Sequence, residues 1–103
     1  VMYKVIKQGE GSGASPSPRS IVTVHYTGRT INGRKFDSSL GGAPLACRLC
    51  DLIEGWIIAL QQMHVGDKWE LYLPADVAYG KFSQPGIPGG STLVFEVELL
   101  GVG

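Results

Sequence analysis

The chain has 103 residues, nine basic and nine acidic side chains, and a composition of 44% hydrophobic and 17% charged residues. That length suits one domain with one core, and that balance is globular rather than disordered. A formal net charge of zero supplies no long-range pull toward nucleic acid or anionic lipid, and no apolar run approaches the ~20 residues of a membrane span, so neither nucleic-acid binding nor membrane insertion is expected.

Val1 to Lys7 is rich in β-formers and reads as an edge strand. A chain opening on Val1 rather than methionine is expected to be an excised domain or processed product, with targeting and oligomerising segments outside it. Gly9 to Arg19, with its glycines, serines and prolines, is a loop. Val22, Val24 and Tyr26 then alternate with Thr23, His25 and Thr27, the pattern of a half-buried strand over Ser20 to Arg29. Asn32-Gly33 predicts a type I′ turn, and a return strand over Arg34 to Asp37. After a loop from Ser38 to Pro44, Leu45, Cys47 and Leu49 share one face of a short strand.

The segment from Asp51 to Met63 carries Ile53, Trp56, Ile57, Leu60 and Met63 at helical spacing, and is the chain's one amphipathic helix. Asp51 with Glu54 resembles a capping box, and Gly66 suits a left-handed C-terminal cap. Gly55 in the first turn costs roughly 1 kcal/mol relative to alanine, so it marks a close approach or an unusual entry geometry. Val65-Gly66-Asp67 turns into a strand with Trp69, Leu71 and Leu73 on one face, ended by Pro74. The long segment from Ala75 to Gly90 holds Tyr79, Phe82 and Ile87 and is stiffened by Pro85 and Pro88; a loop of that length in so small a domain is more often functional than filler. A last strand, Thr92 to Leu100, puts Leu93, Phe95, Val97 and Leu99 on one face. The fold class is α+β, an antiparallel sheet folded around one short helix.

Conventional catalytic motifs are missing: no nucleophile elbow, no zinc-protease helix and no phosphate-binding glycine loop. His25 in a strand reads as a surface or packing residue, and His64 as a cation meeting the helix dipole. Cys47 and Cys50 have C-x-x-C spacing but lack a thioredoxin-like context. Reduced thiols with packing roles are the leading expectation, ahead of a disulfide across a tight turn and of a metal site, which would need His25 and His64 as further ligands. No metal and no cofactor is expected. What the sequence offers instead is aromatic side chains on separate elements, Tyr26, Phe36, Trp56, Tyr79, Phe82 and Phe95. Each alone reads as core, but Asp37 directly after Phe36 is an odd choice for a core and a natural one for an apolar ligand pocket with a few polar groups.

Val24-His25-Tyr26-Thr27-Gly28, Gly33-Arg34-Lys35-Phe36-Asp37-Ser38-Ser39, Ile53-Glu54-Gly55-Trp56, Ala78-Tyr79-Gly80 and Ser91 to Leu100, in that order, resemble the FKBP-type peptidyl-prolyl cis/trans isomerases over nearly the whole chain. Tyr3-Lys4-Val5-Ile6 and Trp69 to Pro74 look most like the macrophage infectivity potentiator branch, whose catalytic domains often follow a helical dimerisation segment. The resemblance implies a strongly bent antiparallel sheet wrapped around the helix, one isomerase domain over residues 1–103, and a longer precursor with this domain at its C-terminal end. Any dimer would form only through the missing N-terminal segment. The implied compartment is the cell envelope or periplasm if the infectivity-potentiator likeness holds, and otherwise the cytoplasm.

The resemblance also implies a proline pocket. Trp56 forms its floor, Tyr26, Phe36, Ile53, Tyr79 and Phe95 its walls, and Asp37 a polar wall member facing the twisted amide. The Ile53 N–H and the Tyr79 hydroxyl would bind substrate carbonyls. Tyr26, Phe36, Asp37, Tyr79 and Phe95 are thereby the expected catalytic residues, and Leu45, Cys47, Leu52, Ile53, Trp56, Phe82 and Ile87 the expected substrate-binding ones. The expected partners are proline-containing polypeptides and macrolides of the rapamycin class. Two departures from the family pattern stand out. Leu45-Ala46-Cys47 replaces a segment that commonly carries phenylalanines, with Cys47 as the expected substitute, which implies reduced macrolide affinity and leaves a non-catalytic binding module as the rival reading. Pro88-Gly89-Gly90 replaces a common proline pair and implies a looser flap, with Phe82 expected to lean in and compensate.

Overall fold

The computed structural model describes residues 2–9, 13–84 and 86–103. Val1, Gly11 and Pro85, which the strand and loop expectations included, lie outside the described residues. The elements are β1 (Met2–Lys7), β2 (Ile21–Thr30), β3 (Lys35–Ser38), β4 (Leu45–Arg48), α1 (Glu54–Leu60), β5 (Lys68–Leu73) and β6 (Leu93–Val102). All pairings are antiparallel, in the order β1-β5-β6-β2-β3, with β4 also pairing β2. One edge of β2 is therefore shared: its first half takes β4, with Val22 opposite Cys47 and Val24 opposite Leu45. Its last residues take β3, with Gly28 opposite Asp37. Register shifts at Thr23/Val24 and Gly28/Arg29 bend the strand between these partners. The result is the bent sheet around a single short helix that the sequence implied.

The alternating strands bury one face each. Val22 and Val24, Trp69, Leu71 and Leu73, and Leu93, Phe95, Val97 and Leu99 form the sheet side of the core; Leu49, Trp56, Ala59, Leu60 and Met63 form the other. Gly55 explains itself here. A Cβ at that position would stand 2.5 Å from the Leu73 side chain, so the glycine allows the first turn of α1 to press directly on β5. The close approach inferred from the sequence is what its lack of a side chain permits.

Several local expectations give way. The helix is shorter than its apolar pattern, because Leu49–Asp51 forms a separate 3-10 turn and α1 begins at Glu54. Its N-cap is Ile53, with no side-chain hydrogen bond, so Asp51 and Glu54 make no capping box. Gly66 does adopt positive φ (99°), but it serves the turn into β5 and donates to the Leu99 carbonyl rather than closing the helix, which ends at Leu60 with Gln61 as its C-cap. His64 consequently lies beyond the reach of the helix dipole, and its imidazole faces the buried Asp67 carboxylate at 3.8 Å. That carboxylate accepts from the Gly9 N–H (2.6 Å) and the His64 N–H (2.9 Å), clipping the loop after β1 to the turn before β5. The β2–β3 turn is not type I′. The Gly33 N–H donates to the Thr30 carbonyl, and among Thr30 to Gly33 only Gly33 has positive φ, at 91°, which leaves Ile31 and Asn32 right-handed or extended.

Candidate functional site

Five elements and two connecting segments converge on one cleft of about 280 Å³. Tyr26 comes from β2, Phe36 and Asp37 from β3, Leu45 from β4, Trp56 from α1 and Phe95 from β6. Asp51, Leu52 and Ile53 come from the connection into α1, and Tyr79 from the long loop. Trp56 lies at the bottom, 4% exposed, while Tyr26, Phe36, Leu45, Leu52, Ile53 and Tyr79 are half-buried around it. Trp56 meets Phe95 at 5.2 Å and 87° and Tyr26 at 5.3 Å and 77°, and Phe36 meets Phe95 at 5.6 Å and 89°. Edge-to-face contacts suit the ring quadrupoles and keep some ring faces turned to the cavity. The Trp56 Nε1 is buried with no hydrogen-bond partner among the described residues.

Gly28 is the sequence device that lets this cluster close. A Cβ there would fall 2.6 Å from the Phe36 ring and 2.7 Å from the Phe95 ring. The β2–β3 pairing then holds Asp37 beside Tyr26. The Tyr26 hydroxyl donates to Asp37 Oδ2 at 2.6 Å, and the Ser38 N–H to Asp37 Oδ1 at 2.9 Å. Burial, followed by the hydrogen bond and the charge of Asp37, pushes the Tyr26 phenol up to about 12. The phenol thus remains a donor across the physiological range, and the carboxylate is held in one orientation. Behind it, the Ser39 hydroxyl bonds both the Tyr26 N–H (2.8 Å) and the His25 Nδ1 (2.9 Å), which makes His25 a bracing residue between β2 and the loop after β3. The Ile53 N–H, at the N-cap of α1, has no acceptor among the described residues.

Three expected site residues are elsewhere. Cys47 is half-buried but outside the cleft: it pairs with Val22, whereas Leu45 pairs with Val24, so Cys47 lies two residues, or roughly 7 Å of strand, farther from Tyr26 than Leu45 does. It is no substitute wall. Its thiol is pushed up by burial and then by the Asp51 charge, which makes it a poor nucleophile; both cysteines are free thiols. Phe82 is 78% exposed and does not lean in. The loop folds on itself through paired hydrogen bonds between Gln84 and Ile87 (2.8 Å each), which sends Ile87 into the core at 5% exposure and leaves Phe82 outside. Ile87 therefore supports the loop rather than lining the cleft. Conversely, Asp51 lines the cleft, and the sequence reading assigned it to a helix cap. Its signal was its place directly before Leu52 and Ile53. Among the described residues no group of three or more His, Cys, Asp or Glu side chains is placed to hold a metal ion.

Residues 13–100 match the sequence family described as FKBP-type peptidyl-prolyl cis-trans isomerase. The chain belongs to this family. It is 50% identical over 102 residues to the FKBP-type 22 kDa peptidyl-prolyl cis-trans isomerase of Escherichia coli (strain K12), covering 97% of this chain and 48% of that protein. It is 43% identical over 104 residues to the peptidyl-prolyl cis-trans isomerase Mip of Coxiella burnetii, covering 99% and 44% respectively. Among solved structures, FkpA from Escherichia coli superimposes with a TM-score of 0.90 at 44% identity, over 97% of this chain and 46% of the other. The chain spans about half the length of these relatives. The FKBP fold and the branch likeness inferred from the motifs both agree with these matches.

Proposed function

We propose that this FKBP-type domain accelerates cis/trans isomerisation of X-Pro bonds, with Tyr26, Phe36, Asp37, Tyr79 and Phe95 acting on the twisted amide and Trp56, Ile53, Leu52 and Leu45 holding the proline. The carrying observation is a cleft walled by edge-on aromatic rings around a single oriented carboxylate–phenol pair. Rotation about a peptide bond faces ~18–20 kcal/mol because the planar amide is resonance-stabilised. In the twisted state that resonance and its charge separation are lost, so apolar walls favour the twisted form over the planar one. No nucleophile is needed when binding itself discriminates between the two. The Ile53 N–H has no acceptor among the described residues, which supports reading it as the donor to a substrate carbonyl. The test is isomerisation of a short Leu-Pro peptide: acceleration by the domain, reduced by Phe36→Ala, supports catalysis, and no acceleration above the uncatalysed rate rejects it.

Leu45 as the β4 wall, with Cys47 outside the cleft, favours one second reading: a domain that holds proline-containing segments with little turnover. Peptide binding without acceleration would select it. Rapamycin-class macrolides fit the same cleft with reduced affinity, since an aliphatic side chain replaces an aromatic wall. The length of the relatives supports reading these residues as one domain of a longer protein, and the infectivity-potentiator likeness supports its being the C-terminal isomerase domain after an N-terminal dimerisation segment. The infectivity-potentiator likeness supports a place in the cell envelope. Among the described residues no helix is long and apolar enough to cross a membrane.

A further inference from the structure

We infer that Asp51, together with Asp37, makes this cleft select peptides with a lysine or arginine next to proline and disfavour those with glutamate or aspartate there. The inference rests on the cleft being the proline site. Ten residues line it, and the only charged ones among them are these two carboxylates. With a proline ring seated on Trp56 at the bottom of the cleft, the side chains flanking the proline extend toward the rim, where Asp37 and Asp51 are both exposed.

The two acids differ in what they are free to do. Asp37 is engaged by the Tyr26 hydroxyl and the Ser38 N–H. Asp51 has only a long contact with the Cys50 thiol, at 4.0 Å. Neither is neutralised: the ion pairs among the described residues are His64 with Asp67 and Lys68 with Glu96, both away from the cleft. Arg48, three residues before Asp51, is on the outward side of β4, opposite to Leu45 and Cys47. Arg34 lines a different cleft, with Ile31, Gly86 and Pro88. The local excess of negative charge is not inherited from the whole chain, which has nine acidic and nine basic residues. It reaches inward as well, since the Asp51 charge helps push up the Cys47 thiol.

The position of Asp51 follows from the backbone. Leu49–Asp51 closes as a 3-10 turn before α1 begins at Glu54, so Asp51 cannot cap the helix and is turned to the rim instead. Charge attraction at an exposed rim acts mainly on substrate binding, equally in the planar and twisted states, and so changes KM more than kcat. An exposed pair contributes little, so attraction of a cation and repulsion of an anion together amount to about threefold or more between Lys-Pro and Glu-Pro peptides at low salt.

The experiment compares kcat/KM for two peptide series on the intact domain, one varying the residue before proline and one the residue after it, with Leu, Lys and Glu at the varied position. The expected result, in at least one series, is Lys above Glu by about threefold or more, shrinking toward one near 1 M salt, where screening acts over about 3 Å. Asp51→Asn is expected to lower this ratio and Asp51→Lys to reverse it. The ratio is taken within each protein, so a partial loss of overall activity leaves it readable, and the salt series on the unaltered domain stands if a variant misfolds. Lys and Glu peptides turned over equally at low salt in both series, while Leu peptides are accelerated, overturns the charge selection alone. No acceleration of any peptide overturns the isomerase reading and this inference with it.

Discussion

Two aromatic clusters sit in this small sheet, and they are packed in opposite ways. At the β1 edge, Tyr3 lies flat on Trp69, with ring centroids at 4.3 Å and planes 13° apart. The stack covers the buried indole with a half-exposed ring and leaves no ring face for a ligand between the two. At the other end, Trp56, Phe95, Phe36 and Tyr26 meet at steep angles around an open cleft. Residue type is the same in both places. Geometry separates them: flat stacking turns the facing ring surfaces against each other, beside a smaller cavity of about 200 Å³ with no carboxylate in its lining, while edge-on packing around the larger cleft keeps ring faces and the Tyr26–Asp37 pair available.

The comparison sharpens into variants with opposite readouts. Trp69→Ala, at a 7% exposed position, is expected to cost about 3–5 kcal/mol of stability in urea unfolding, as for other buried aromatics. The fraction that remains folded is expected to keep its isomerase rate. Phe36→Ala should do the reverse: kcat/KM on a Leu-Pro peptide falls by about tenfold or more, near 1.4 kcal/mol in the barrier. Its stability changes less than that of Trp69→Ala, because Phe36 is only half-buried.

A smaller effect probes the polar pair in the cleft. The Tyr26 phenol is raised from 10.0 to about 12, so the fold favours its protonated form. The associated stabilisation is present below the unfolded value near 10 and is lost as the pH climbs through about 12. Asp37→Asn is expected to lower the phenol's pKa while leaving it above 10.0, since burial is the first cause and persists. An ultraviolet titration of tyrosine ionisation reads this directly. The smallest effect belongs to Tyr3→Ala, where loss of the stack is expected to cost about 0.5–1.5 kcal/mol beyond the lost apolar area and to leave the cleft untouched.

How much of this was legible beforehand depends on whether a residue's position is fixed by strand periodicity or by backbone detail. The alternation of Val22, Val24 and Tyr26, and of Leu93, Phe95, Val97 and Leu99, fixed their inward faces, and the ordered motifs brought Phe36, Asp37, Trp56 and Tyr79 to one place. Gly55 announced a close contact through its cost in a helix, though not that Leu73 was the partner. What periodicity could not carry was the 3-10 turn at Leu49–Asp51, because an apolar pattern continues through it while the backbone does not. That turn decided whether Asp51 capped a helix or lined the cleft. Cys47 failed for a related reason. Its side of β4 was right, but its distance along the strand from Tyr26 depends on the pairing of Val22 with Cys47, which sequence alone does not give. In the long loop, the Gln84–Ile87 pairing chose which of two apolar side chains turned inward, and it chose Ile87 over Phe82.

The central claim is that proline is bound and twisted at the edge-on cluster and not at the stacked one. A proton–nitrogen NMR titration with a short Leu-Pro peptide, combined with exchange spectroscopy on the peptide, tests it in one sample. The Ile53 amide and the Trp56 indole N–H are expected to shift together, the Trp69 indole to stay still, and cis and trans peptide signals to exchange faster than in the peptide alone. Unmoved Ile53 and Trp56 signals, or shifts confined to Trp69, would contradict the account.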